Sequence, residues 1–135
     1  MRFTTAMLAD AAQVQGGKLF VLGGGFDTIS ARALPVVHRT LSVALVAEVE
    51  PDERHRDLEI VIVLIDEDGG ELGVEAKGKL RVGAPPNLPP GSSSIVPIVS
   101  PFYNIRFEEA KGYAFAVKFE GDELARVRFR VVQVG

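Results

Sequence analysis

Apolar and polar side chains alternate along most of the chain, and apolar residues at helical spacing are scarce. From Leu72 to Val82, the residues Leu72, Val74, Ala76, Gly78, Leu80 and Val82 fall on one side, while Glu71, Gly73, Glu75, Lys77, Lys79 and Arg81 fall on the other. That is a strand with one dry and one wet face. Leu58 to Ile65 is apolar at nearly every position except Glu59, which predicts a strand covered on both faces or central in its sheet. Thr40 to Val49 alternates through Leu41, Val43, Leu45, Ala47 and Val49. Lys18 to Leu22 and Phe26 to Ser30 read as short strands bracketing Gly23-Gly24-Gly25. Phe3 to Ala9 contains the helix-favouring residues Ala, Met and Leu, but its place among strands favours the extended form. Ile95 to Ser100 predicts an edge strand, because Pro97 cannot donate to a ladder.

Two hairpins can be specified further. Glu67-Asp68-Gly69 fits a three-residue loop whose Gly occupies the left-handed region, where a side chain would clash. If Asp66 faces Gly70, then Leu64 lies opposite Leu72, Ile62 opposite Val74 and Ile60 opposite Ala76, while Glu59 meets Lys77 and Asp57 meets Lys79 on the wet face. In the carboxy-terminal pair, Tyr113, Phe115, Val117 and Phe119 alternate with Ala114, Ala116, Lys118 and Glu120, and Val127, Phe129 and Val131 alternate with Arg126, Arg128 and Arg130. For both apolar sets to share a face, the connection at Gly121 must hold an odd number of residues, or a two-residue turn must be corrected by a bulge.

About eight short strands punctuated by Gly and Pro predict one all-β domain: an antiparallel two-sheet sandwich of about seven to nine strands, with a closed β-barrel of the same strands as the alternative. That domain spans residues 1–135. The segment Gly83 to Ser94 is a proline-rich crossing loop.

Composition narrows the chemistry. The chain has no Cys, which removes disulfides, Cys-ligated zinc, iron–sulfur clusters and a thiol nucleophile. A net charge of −3 offers phosphate backbones no overall attraction, so no nucleic-acid partner is expected. The longest uncharged stretch, Val82 to Ile105, carries prolines at 85, 86, 89, 90, 97 and 101, which defeats a membrane-spanning helix. Asp10 interrupts the apolar run Phe3 to Ala9 before a signal peptide would be complete. A cytoplasmic protein with no membrane contact is the expectation.

No motif carries a reaction. Asp66-Glu67-Asp68-Gly69-Gly70-Glu71 has calcium-loop composition, but Gly70, Glu71 and Lys77 occupy the positions where an EF-hand requires an acidic or amide residue, Gly and Glu. Gly16-Gly17-Lys18 resembles the end of a phosphate-binding loop, yet Ala12 and Leu19 stand where Gly and Ser or Thr belong. Gly23-Gly24-Gly25 reads as a tight turn or bulge. His38 and His55 have arginine neighbours that would repel a cation. Ser92-Ser93-Ser94 lacks the second Gly of a nucleophile elbow, and Glu108-Glu109 are adjacent loop residues. No cofactor and no metal is expected. The row Arg126, Arg128, Arg130, with side chains about 6 to 7 Å apart on one face, is suited to a phosphate, a carboxylate or an acidic partner surface, or is simply solvated and guards an edge.

The run Ala9-Asp10-Ala11-Ala12-Gln13-Val14-Gln15-Gly16-Gly17-Lys18-Leu19-Phe20-Val21-Leu22-Gly23-Gly24-Gly25 resembles the opening of an uncharacterised family of small bacterial proteins. The likeness continues through Val82 to Gly91 and Gly112 to Val117, and lapses between Pro101 and Lys111. It implies an immunoglobulin-like β-sandwich and brings no activity with it. The functional expectation is therefore a non-enzymatic binding or assembly module, contacting another protein or a second copy through edge strands, the loop residues Pro86, Leu88 and Pro89, or Arg126, Arg128 and Arg130. The alternative is a small ligand-binding or hydrolytic protein whose loop-end pocket draws on Asp52, His55, Arg106 and Glu108.

Overall fold

The structure, a computed structural model, describes residues 1–135 and contains nine strands. They are β1 (Arg2–Gln15), β2 (Lys18–Gly24), β3 (Thr28–Ala31), β4 (Val36–Val49), β5 (Leu58–Asp66), β6 (Glu71–Leu80), β7 (Ser94–Phe107), β8 (Gly112–Phe119) and β9 (Asp122–Gln133). A four-stranded sheet, β2-β1-β4-β7, faces a five-stranded sheet, β3-β9-β8-β5-β6, and neither closes into a barrel. The order is that of an immunoglobulin sandwich: β1, β4 and β7 stand as strands A, B and E, and β5, β8 and β9 as C, F and G, with β6 beside C. The proline-rich loop follows β6 where strand D would come, which leaves β7 as an edge. Tyr113, at the start of β8, donates its hydroxyl to the Glu109 carbonyl at 2.7 Å, the tyrosine corner of this class of sandwich.

One pairing departs from the expected antiparallel pattern. β3 runs parallel to β9, from Thr28 opposite Arg130 to Ala31 opposite Gln133. The two are far apart in sequence, so no hairpin turn fixes their relative direction.

The inner faces meet as the alternation requires. Leu41, Val43 and Leu45 of β4 pack against Ile60, Ile62 and Leu64 of β5 and against Phe115, Phe129 and Val131, all at most 4% exposed. Phe115 joins the two layers, with its ring 4.8 Å from that of Phe102 in the opposite sheet and 5.7 Å from that of Phe129. β7 continues past Ser100 to Phe107, and its buried Phe102, Ile105 and Phe107 supply core that the sequence pattern hides. Inward positions switch phase between Phe102 and Ile105, where Asn104 has φ 55°; β4 switches at the paired level, between His38 and Leu41.

The β5–β6 turn is as expected: Asp66 and Gly70 pair, the Gly69 N–H donates to the Asp66 carbonyl, and Gly69 has φ 81°. The register beyond it is not. Ile65 lies opposite Glu71 but Val63 lies opposite Glu75, so two extra residues bulge out of β6 around Gly73, at φ 76°. Glu59 therefore meets Lys79 rather than Lys77, and Ile62 meets Ala76 rather than Val74. Asp57 pairs with Arg81 at 3.2 Å rather than with Lys79. A slip of two preserves the faces, so Val74, Ala76 and Leu80 still pack inward, whereas Leu72, caught in the bulge, is exposed. At the carboxy-terminal hairpin, Glu120 and Gly121 (φ 52° and 85°) form a two-residue turn, and a bulge at Leu124 restores the phase, so Val117 faces Ala125.

Candidate functional site

The longest exposed apolar feature begins at the amino-terminal hairpin. β1 pairs with β4 only as far as Ala9 opposite Ser42; from Ala11 to Gln15 it pairs with β2 alone, through a turn at Gly16 and Gly17, both at positive φ. Gly16-Gly17 is thus a hairpin turn and not part of a phosphate loop. The ribbon closes over the outer side of β4 toward β7. Beneath it, the outward-pointing Ser42 and Ala44 of β4 are almost wholly buried. The ribbon's other side pairs Ala11 with Leu22 and Gln13 with Phe20, and faces solvent, with Leu22 73% and Phe20 50% exposed. β2 is also the outer strand of its sheet, so one of its backbone edges is unpaired.

The four sheet edges differ in how they discourage pairing. β7 carries Pro97 and Pro101. β6 carries Glu75, Lys77 and Lys79 and the bulge at Gly73. β3 has only four residues. Each of these devices blocks addition of a further strand. β2 is seven residues long, and its run from Leu19 to Leu22, between Lys18 and Gly23 (φ 64°), carries no Pro, no charge and no bulge.

Between the edges of β6 and β7 lies a groove of about 340 Å³, walled by Ile60, Ile62, Ala76 and Leu80 from one sheet and by Val96 and Ile98 from the other, with Val14 of the ribbon at its rim. Lys77 and Lys79 are the charged residues along it.

Arg126, Arg128 and Arg130 are exposed on the outer face of the five-stranded sheet. Arg126 is held by Glu123 (Nε 3.1 Å, Nη2 2.8 Å), which raises its pKa. Arg128 and Arg126 lie directly across from Ala114 and Ala116, and those two residues with Val63 and Ile65 form a small apolar cluster on that outer face, each less than a tenth exposed. Pro86, Leu88 and Pro89 are exposed on the crossing loop, away from the arginines. The loop's return is pinned from within the domain. The Arg54 guanidinium donates to the Ser92 carbonyl, and the Ser93 hydroxyl donates to Glu48 at 3.1 Å. Glu48 is held below the usual carboxylate range by Arg2 first and Ser93 second.

The residues of the hydrolytic alternative do not converge. Asp52 and His55 follow the end of β4 beside Ser94 at the start of β7, whereas Arg106 and Glu108 lie at its far end. Along the 14 residues of that strand they are separated by roughly 40 Å. Arg106 and Glu108 pair with each other at 2.6 Å on the surface. The buried Glu53 carboxylate is occupied by the Glu50 N–H at 2.9 Å and the Met1 amino group at 2.8 Å. The Asp66-Glu67-Asp68 run is spent on its own turn. Asp66 accepts from the backbone of Gly70 (2.8 Å) and Asp68 (3.0 Å), and these bonds, Gly70's first, depress its pKa with help from Lys111. No group of three or more His, Asp or Glu side chains gathers to hold a metal. No helix is long and apolar enough to cross a membrane.

The ribbon's role as the most exposed apolar surface was missed in the sequence, although its signal was present: Gly-Gly flanked by two apolar runs is a hairpin signature. Among known proteins, no curated protein matches the chain. A family model described as a family of unknown function, DUF6941, matches residues 4–132, from the third residue of β1 to within one residue of the end of β9. Both sheets and the ribbon fall within that match, and the chain belongs to the DUF6941 family.

Proposed function

We propose that this protein is a non-enzymatic protein-binding module that takes an extended segment of another protein onto the free edge of β2. The observation that carries the reading is the contrast among edges: three are blunted by proline, charge and bulge, or brevity, and β2 alone is left open beside an exposed Phe20 and Leu22. Strand addition supplies affinity through main-chain hydrogen bonds and specificity through alternate side chains. On the ribbon, Phe20 and Leu22 are alternate residues on one side, so they would read alternate positions of the added strand.

The test replaces Leu22 by a photo-crosslinking amino acid in the producing cell, with the same probe at Lys79 on the β6 edge as the comparison. A discrete adduct with one protein from position 22, absent from position 79 and abolished by Phe20→Asp, is the expected result. Equal labelling from both positions, or a discrete adduct from position 79 alone, contradicts the proposal.

A further inference from the structure

We propose that the outer face of the five-stranded sheet is a self-complementary surface that pairs two copies of this chain about a two-fold axis parallel to the strands. This goes beyond the β2 reading and shares no residue with it. Strand register sets the outward side chains in rows running from β9 through β8 and β5 to β6. In one row Glu123 stands at the β9 end and Lys77 at the β6 end, with Lys118 and Val61 between. In the next, Arg126 and Glu75 stand at the ends of Ala116 and Val63. In the third, Arg128 and Glu71 stand at the ends of Ala114 and Ile65. Every row has opposite charges at its two ends.

That antisymmetry is what one particular two-fold requires. An axis in the plane of contact, parallel to the strands and running between β8 and β5, lays the β9 margin of one copy over the β6 margin of the other at the same height. Arg126 then meets Glu75 of the second copy, Arg128 meets its Glu71, and Glu123 meets its Lys77. Arg130, one row further along β9, comes over the β5–β6 turn of the second copy with its Glu67 and Asp68. Because the axis runs along the strands, it keeps those of the two copies parallel, and the two margins stay in register along their length.

Within one copy, Arg126 pairs with Glu123 at 2.8 Å and Lys77 with Glu75 at 3.4 Å, so each of these pairs meets its mirror in sign. Arg128, Arg130 and Glu71 make no ion pair within the chain and gain one from the second copy. Along the middle of the face β8 contributes Gly112, Ala114 and Ala116, with Lys118 at one end and the Glu67 carboxylate over Gly112 at the other. A hollow of about 530 Å³ opens on the β5–β6 side between Val61, Val63, Glu75 and Lys118. Four strands about 4.8 Å apart, each offering about seven residues of about 3.4 Å, present roughly 450 Å² per copy. A total near 900 Å² belongs to weak, reversible complexes. Rim charges also make the dimer sensitive to salt, because the screening length falls from about 10 Å at 0.1 M to about 3 Å at 1 M.

Sedimentation equilibrium of the full chain tests this with two variants. Arg126→Glu with Arg128→Glu makes both margins acidic, and Glu71→Arg with Glu75→Arg makes both basic. The wild type is expected to dimerise at low salt and to weaken at least about tenfold on going from 0.1 M to 1 M. Each variant alone should be monomeric, and their equimolar mixture should form a heterodimer, since acidic margins then face basic ones on both sides. Leu22→Asp should dimerise like the wild type, which separates this contact from the β2 edge. A wild type that stays monomeric at millimolar concentration, a variant that self-associates as well as the wild type, or a mixture that stays monomeric where the wild type pairs, would each overturn the proposal.

Discussion

Leu22→Asp separates what β2 does for the fold from what it does for a partner. Leu22 is 73% exposed, so folding buries only about a quarter of its side chain, and losing that burial costs about 0.5 kcal/mol. Placing Asp in a strand adds up to about 1 kcal/mol. A chain of 135 residues unfolds with an entropy of about 0.28 kcal/mol/K, so the total of about 1.5 kcal/mol lowers Tm by about 5 °C. Phe115→Ala sets the scale for a true core position: it is fully buried between Phe102 and Phe129, and removing it costs about 3–5 kcal/mol, or about 11–18 °C. For a partner strand, the exposed three quarters of Leu22 represents about 1.5 kcal/mol, or about tenfold in affinity, before the penalty for a buried carboxylate. Calorimetric melting of both variants, together with crosslink yield from a probe at position 20 in the Leu22→Asp background, measures the two effects. A Leu22→Asp melt as low as that of Phe115→Ala would mean that β2 belongs to the core. An unchanged crosslink yield would remove Leu22 from the contact.

Other outcomes follow from single contacts. Tyr113→Phe keeps the ring but removes the hydroxyl bond to Glu109, and should cost about 1 kcal/mol in denaturant unfolding with little change in m-value. The Asp66 carboxyl is held below its ordinary value, so its contribution is complete above the unfolded pKa, near 4, and fades as pH falls through the lower folded value. Asp66→Asn should therefore melt below the wild type at neutral pH, and the two curves should draw together as pH falls through the lowered folded value. Deleting Leu124 removes the extra residue of the β9 bulge and leaves Glu123 outward and Ala125 inward, so the variant should keep a native near-ultraviolet spectrum and a cooperative melt.

How much of this was legible in the letters depended on whether local chemistry decided the outcome. Glu67-Asp68-Gly69 dictates its turn, and the phase conflict between Phe119 and Val127 demands a bulge; both are found at the expected places. Alternation puts Gly73 at an ordinary wet-face position, and its positive φ, with the two-residue slip it accompanies, depends on how β6 meets β5 over its whole length. The switch of face at Asn104 hid Phe102, Ile105 and Phe107 because alternation fails in β4 and β7 together. The parallel β3–β9 pair joins segments remote in sequence, which no local pattern encodes. Surfaces were the least legible. Arg126, Arg128 and Arg130 form a visible row, but that Glu75 faces Arg126 across the same sheet emerges only from the slipped register, whereas Glu71 lies opposite Ile65 with or without the slip. Likewise, Leu19 to Leu22 reads as a strand in the sequence, and its standing as the one unguarded edge requires knowing which strands lie outermost.

Amide hydrogen exchange along β2, measured on the purified protein and again with the partner identified by crosslinking at position 22 in excess, tests the central claim most directly. The account predicts that, within Leu19 to Leu22, the amides directed away from β1 exchange rapidly alone, while β5 and β8 are slow, and become protected when the partner is present. Slow exchange of those outward amides in the purified protein, or protection that appears on β6 or β7 instead, would contradict it.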